Sequence, residues 1–123
     1  MSELVYCAIP SRLRHLVTEV NDYVSVRGHG PLNPFQAFEY ERFEGGAPGR
    51  VLTLLWTRRL VSIADQVWLF GVSEGALRDA CIGILLQKRV LAVRGFDPNW
   101  DTYWSALAPS FGTLLPQELP AIA

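Results

Sequence analysis

The chain has 123 residues, half of them hydrophobic, and its 11 basic and 12 acidic side chains leave a net charge of −1. That length gives one domain, 1–123, with a real core, and the composition excludes a disordered chain. Basic residues fall in short groups (Arg12 and Arg14, Arg58 and Arg59, Lys88 and Arg89) and never in a run, so no nucleic-acid partner is expected.

Leu4-Val5-Tyr6-Cys7-Ala8-Ile9 is a continuous apolar run stopped by Pro10, which predicts a buried central strand. Pro10-Ser11-Arg12 makes a turn. Leu13, Leu16, Val17, Val20 and Val24 follow at helical spacing, and the helix ends near Gly28. An extended segment over 30–33 precedes Pro34, and Phe35, Phe38 and Phe43 lead into a polar stretch with room for a short helix. Gly45-Gly46-Ala47-Pro48-Gly49 reads as a mobile loop.

A helix over 50–64 carries Val51, Leu54, Leu55, Val61 and Ile63, with Thr57, Arg58 and Arg59 assigned to its polar side. A buried strand over 66–70 comes next, then a helix from Glu74 to about Gln87 and a strand over 89–94. Gly95 and Pro98 interrupt the chain before a short aromatic helix with Trp100, Tyr103 and Trp104. Pro109, Pro116 and Pro120 mark a surface tail from about 109.

Strands alternating with helices predict a three-layer α/β/α sandwich around a mainly parallel sheet of four or five strands, in the order 2-1-3-4. In that order the ends of the first and third strands meet at the topological switch point, where ligands dock against backbone N–H groups and a helix N-terminus. The turn at Pro10, Ser11 and Arg12 then faces the turn from Gly71 to Gly75 across one cleft. Ser73 is a good helix cap, and Glu74 can pair with Arg78 four residues on.

The helix after Ser73 has apolar residues on two sides. Leu77, Cys81, Ile84 and Leu85 form one face; Gly75, Asp79, Ile82, Gly83 and Leu86 lie opposite. A helix covered twice implies the sheet on one side and a second copy of the chain on the other. A homodimer or higher homo-oligomer is expected, with Ile82 and Leu86 in the contact. Asp79, between glycines at i−4 and i+4, is costly beside apolar neighbours unless it has a partner or a task.

Cys7 and Cys81 sit inside apolar runs and read as buried free thiols, with no metal spacing around them. No apolar run approaches the ~18–20 residues of a membrane span, and no secretory leader is visible, so a cytoplasmic location without membrane contact is expected.

Three segments together resemble the nucleoside 2-deoxyribosyltransferase-like superfamily. They are Tyr6-Cys7-Ala8-Ile9-Pro10-Ser11-Arg12, Ala64-Asp65-Gln66-Val67-Trp68-Leu69-Phe70, and Ser73-x-Gly75-x-x-x-Asp79. Lys88-Arg89-Val90 is similar to that family's lysine-rich turn, and Gly28-x-x-Pro31-Leu32-Asn33-Pro34 resembles an uncharacterised branch that often has Pro-His near this point, with Phe35 at the histidine position. The similarity covers most of residues 4–94.

It implies a flavodoxin-like fold, usually assembled as a homodimer or larger, and a carboxylate that attacks the anomeric carbon of a deoxyribosyl group. Two positions depart from the family pattern. Asp79 stands where the family has glutamate, and Thr57 stands where it has an aspartate eight residues before the strand's Asp65.

Three function classes follow. The first is an enzyme of the N-glycosidic bond, a deoxyribosyltransferase or N-glycosidase for a nucleoside or nucleoside monophosphate. Asp79 would be its catalytic residue, and Tyr6, Pro10, Ser11, Arg12, Asp65, Gly71, Ser73 and Gly75 would bind the substrate. Arg12 and Ser11 would meet a phosphate together with the N-terminus of the Ser73 helix. The second is a non-catalytic nucleotide-binding or sensing module on the same scaffold, which the two departures favour. A third possibility is a scaffold protein using Trp100, Tyr103 and Trp104 as a partner surface. No cofactor and no metal is expected.

Overall fold

Four short parallel strands form one sheet in the order β2-β1-β3-β4: β1 (Leu4–Ala8), β2 (Gly30–Leu32), β3 (Gln66–Leu69) and β4 (Arg89–Ala92). The computed structural model describes residues 2–37, 45–46 and 49–122. Phe38, Phe43, and Ala47 and Pro48 of the glycine-rich loop lie outside the described residues. Pairing is in register, with Tyr6 opposite Leu32 on one side and Val67 on the other.

Successive strand residues point to opposite faces, so the two central strands split their apolar side chains between two cores. Val5, Cys7, Ile9, Trp68 and Phe70 pack with Leu91 and Val93 against α1 (Val17–Val26). Tyr6, Ala8, Val67 and Leu69 pack on the other face against α3 (Gly49–Ile63) and α4 (Glu74–Leu85). The result is a three-layer α/β/α sandwich, flavodoxin-like in general form.

The approach to α1 differs from the continuous helix expected after Pro10. Residues Ser11–Leu16 wind as a 3-10 helix, opened by the Leu13 N–H bonding to the Pro10 carbonyl at 2.9 Å. Past α1, Gly28 adopts φ +86, and the chain turns into β2. A single turn, α2 (Pro34–Ala37), follows, with Asn33 Oδ1 accepting from the Phe35 N–H.

The polar and apolar sides expected for α3 are corrected. Thr53, Thr57 and Val61 form its buried stripe, whereas Val51 is 72% exposed and Leu55 and Ile63 also face outward. Burying the threonines costs little, because each hydroxyl donates to a carbonyl of its own helix: Thr53 to Arg50 at 2.9 Å and Thr57 to Leu54 at 2.9 Å.

The faces expected for α4 are corrected as well. Its buried residues are Ala76, Leu77, Ala80, Cys81 and Gly83, and Leu85 is 65% exposed. Gly83 lies against the sheet, where an added Cβ would come within 2.9 Å of Val67. Ile82 is partly buried against the core, not turned wholly outward.

After β4 a 3-10 turn (Arg94–Phe96) leads to α5 (Trp100–Leu107), where Trp100 and Trp104 stack at 6.3 Å and 7°. The tail runs over the surface in part, yet it is tied down. Leu115 is buried, and Ala121 bridges Ala92 in parallel through Ala92 N–H to Pro120 O and Ile122 N–H to Ala92 O. Among the described residues no helix is long and apolar enough to cross a membrane.

Candidate functional site

The chain leaves β1 toward β2 on one side of the sheet, and leaves β3 toward β4 on the other. The diverging loops open a pocket of about 430 Å³ at the carboxyl ends of the strands, within the ~300–1,000 Å³ typical of small-molecule sites. Its floor is Tyr6. Pro10, Ser11 and Arg12 come from the β1 loop, Val72 and Ser73 from the β3 loop, and Gly75 and Asp79 from α4. Seven of the nine residues singled out in the sequence therefore meet here: Tyr6, Pro10, Ser11, Arg12, Ser73, Gly75 and Asp79.

The other two lie elsewhere. Asp65 precedes β3, at the opposite end of the sheet, where its Oδ2 accepts the Leu4 N–H at 2.8 Å. A residue that opens a strand cannot reach the end where the strand closes. Gly71 sits behind the pocket wall. A Cβ there would come within 2.7 Å of Leu13 and 2.8 Å of the Pro10 ring, so glycine lets the β1 and β3 loops touch.

The Tyr6 hydroxyl donates to Asp79 Oδ2 at 2.8 Å, joining β1 to the second turn of α4. Burial pushes the Asp79 carboxyl up to about 7; the Tyr6 hydrogen bond and the charge of neighbouring Arg78 pull the other way without cancelling it. A carboxyl so placed exchanges between its two forms near neutrality, the range suited to acid–base or nucleophilic work. By contrast, burial raises the thiol of Cys7 to about 12 and raises that of Cys81. Both cysteines are free, buried and inert.

Ser73 caps α4, its hydroxyl accepting the Ala76 N–H at 3.1 Å. The first-turn residues Glu74 and Gly75 line the pocket, and their N–H groups precede any intrahelical acceptor. A Cβ on Gly75 would meet nothing within 4 Å, so this turn borders open space. Glu74 makes the expected i,i+4 pair with Arg78, at 2.7 Å.

Arg12 is held more firmly than a free phosphate ligand would be. Its Nη2 donates to Asp97 Oδ2 at 2.8 Å and to the Val72 carbonyl at 2.6 Å, while its guanidinium lies 4.2 Å from the centre of the Tyr103 ring. Asp97 is buried, and it also accepts the Val72 N–H at 2.9 Å and, at Oδ1, the Asn99 N–H at 3.0 Å. One carboxylate thus ties the β1 loop, the β3 loop and the segment before α5 together.

Sequence reasoning missed Asp97, although Asp97-Pro98-Asn99 is a turn signature in which the aspartate bonds two residues ahead. It also missed that Phe35, Arg50, Leu54, Tyr103 and Leu107 line the pocket, whereas Thr57, which the resemblance placed at the family's aspartate position, does line it.

Together the fold and the pocket define an α/β protein, flavodoxin-like in general form, with a cleft at the switch point of its sheet, a topology consistent with nucleotide-binding and enzyme scaffolds in general. No family model, curated protein or solved structure matches the chain. Among the described residues no group of three or more His, Cys, Asp or Glu could hold a metal ion.

Proposed function

We propose that the pocket takes a nucleoside or nucleoside monophosphate and that Asp79 acts on its N-glycosidic bond. The supporting observation is the Asp79 carboxyl in this cleft, hydrogen-bonded by Tyr6 and held near neutrality by burial. The resemblance to the nucleoside 2-deoxyribosyltransferase-like superfamily points the same way.

In this reading the ionised Asp79 oxygen approaches C1′ of the sugar as the C1′–N bond breaks, and the departing base takes the electron pair. The Tyr6 hydroxyl fixes the carboxylate's orientation by donating to its other lone pairs. The first turn of α4 faces a sugar hydroxyl or phosphate with N–H groups and the positive helix end. Phe35, Leu54 and Leu107 give a flat base an apolar wall.

A second reading, nucleotide binding or sensing without chemistry, is supported by Asp79 and Thr57, which stand where the resembling family has glutamate and aspartate. Chromatographic detection of free base separates the two. Release by the wild type, lost by orders of magnitude in Asp79→Asn with ligand affinity retained, supports catalysis. Binding without release in either protein refutes it and leaves the binding module.

The proposal extends to assembly as a homodimer or larger through the outer faces of α3 and α4, where Val51, Leu55, Ile63 and Leu85 are exposed.

A further inference from the structure

Val72 is the residue before the cap of α4, and both of its backbone groups are held. Its N–H donates to Asp97 Oδ2 at 2.9 Å, and its carbonyl accepts from Arg12 Nη2 at 2.6 Å. The same Nη2 donates to Asp97 Oδ2 at 2.8 Å, which closes a triangle of three hydrogen bonds. Both N–H groups of that nitrogen are thereby spent. The Asp97 side chain is fully buried, so its charge is met inside the protein by Arg12. A guanidinium neutralised in this way keeps little attraction for a phosphate.

What the triangle fixes is the entry to α4. Ser73, the next residue, caps that helix by accepting the Ala76 N–H at 3.1 Å. Asp79 lies in the second turn, about 9 Å further along at ~1.5 Å per residue, and meets Tyr6 of β1 at 2.8 Å. A shift at the start of the helix therefore carries to Asp79. Asp97 itself is steadied by the Asn99 N–H at 3.0 Å, on a segment past residue 94 and outside the stretch that carries the family resemblance.

We infer that Arg12 and Asp97 act as one positioning unit, which sets the start of α4 and through it the place of Asp79, and that Arg12 is not the phosphate contact of the cleft. The inference deepens the nucleotide reading above and rests on it for what the ligand is.

Two measurements test it on the full chain. The first compares guanosine with GMP. Arg12→Met removes the donors and keeps the stem, and should weaken both ligands by the same factor, ~10-fold. Adding Asp97→Asn should cost no second factor of that size, because residues that act as one unit are not additive. A loss confined to GMP makes Arg12 a phosphate contact and overturns the inference.

The second measurement needs no ligand. Carbon-13 NMR of the aspartate carboxyls, with the Asp79 signal assigned by its loss in Asp79→Asn, follows that group's ionisation. In the double variant Arg12→Met with Asp97→Asn, one charge of each sign is gone, so their direct field on Asp79 nearly cancels. Asp79 should still titrate about one unit below its starting value of about 7, since a loosened helix start admits water and burial is the larger of its opposing influences. Loss of overall stability alone would leave the titration of the folded protein where it was, and an unmoved titration overturns the positioning role. Should neither guanosine nor GMP bind the wild type, the nucleotide reading falls and the Asp79 titration alone decides whether the pair positions the helix.

Discussion

Asp79→Asn should make the protein more stable, and increasingly so as the pH rises. Burial displaces the Asp79 carboxyl from an ordinary 3.8 to about 7 in the folded chain, so the unfolded chain ionises first. Below pH 3.8 both states are protonated and the group is neutral to stability. Between that point and about pH 7 the wild type loses stability, and above it the loss is constant. At about 1.4 kcal/mol per pH unit, the full loss has an upper bound of about 4 kcal/mol. Water reaching the carboxylate through the pocket mouth brings the expected value toward about 2 kcal/mol.

Asparagine keeps the acceptor for the Tyr6 hydroxyl and cannot ionise, so it escapes this penalty. Urea denaturation of both proteins at pH 5 and pH 8 measures the effect. The variant's advantage should grow by about 1–3 kcal/mol between the two, since most of the titration lies above pH 5. A difference that is the same at both pH values would show an ordinary, hydrated carboxyl and undo the case for Asp79 as a tuned group.

Three further outcomes are expected. Asp97→Ala strips partners from the Arg12 guanidinium and the Val72 N–H, and should cost about 3 kcal/mol in urea denaturation, with Asp97→Asn milder because it still accepts a hydrogen bond. Gly71→Ala drives a Cβ into Leu13 and the Pro10 ring and should cost about 1–3 kcal/mol by thermal or urea unfolding, the second contact being a ring that cannot rotate away. If the chain self-associates through α3 and α4, Leu85→Glu should shift its mass by light scattering to that of a monomer without loss of fold; a monomeric wild type at micromolar concentration would refute the assembly.

The strand order was legible because continuous apolar runs over 4–9 and 67–70 end abruptly, at Pro10 and Gly71, and the spacing between runs leaves room for crossover helices. That order alone locates the cleft, which is why Ser11, Arg12, Ser73 and Asp79 could be placed together from sequence. Asp65 was drawn in by resemblance, although its position before β3 already puts it at the far end.

The inward face of α3 was hidden. Its hydrophobic residues suggest one side, but Thr53 and Thr57 satisfy their own hydroxyls and behave as small apolar residues, freeing the helix to turn Val51 and Leu55 outward. The Arg12–Asp97 pair joins residues 85 positions apart, and no local pattern announces such a pair.

The tail's bridge to Ala92 bears on how this protein meets others. A sheet ends in strands whose outer N–H and C=O groups can recruit another chain, the route to uncontrolled association. Here the outer side of β4 has its Ala92 groups taken by Pro120 and Ile122. On the far side β2 spans three residues and carries Pro31, which has no N–H to offer. With both rims of the sheet blunted, growth by strand addition is disfavoured, and the surface left for ordered contact is helical.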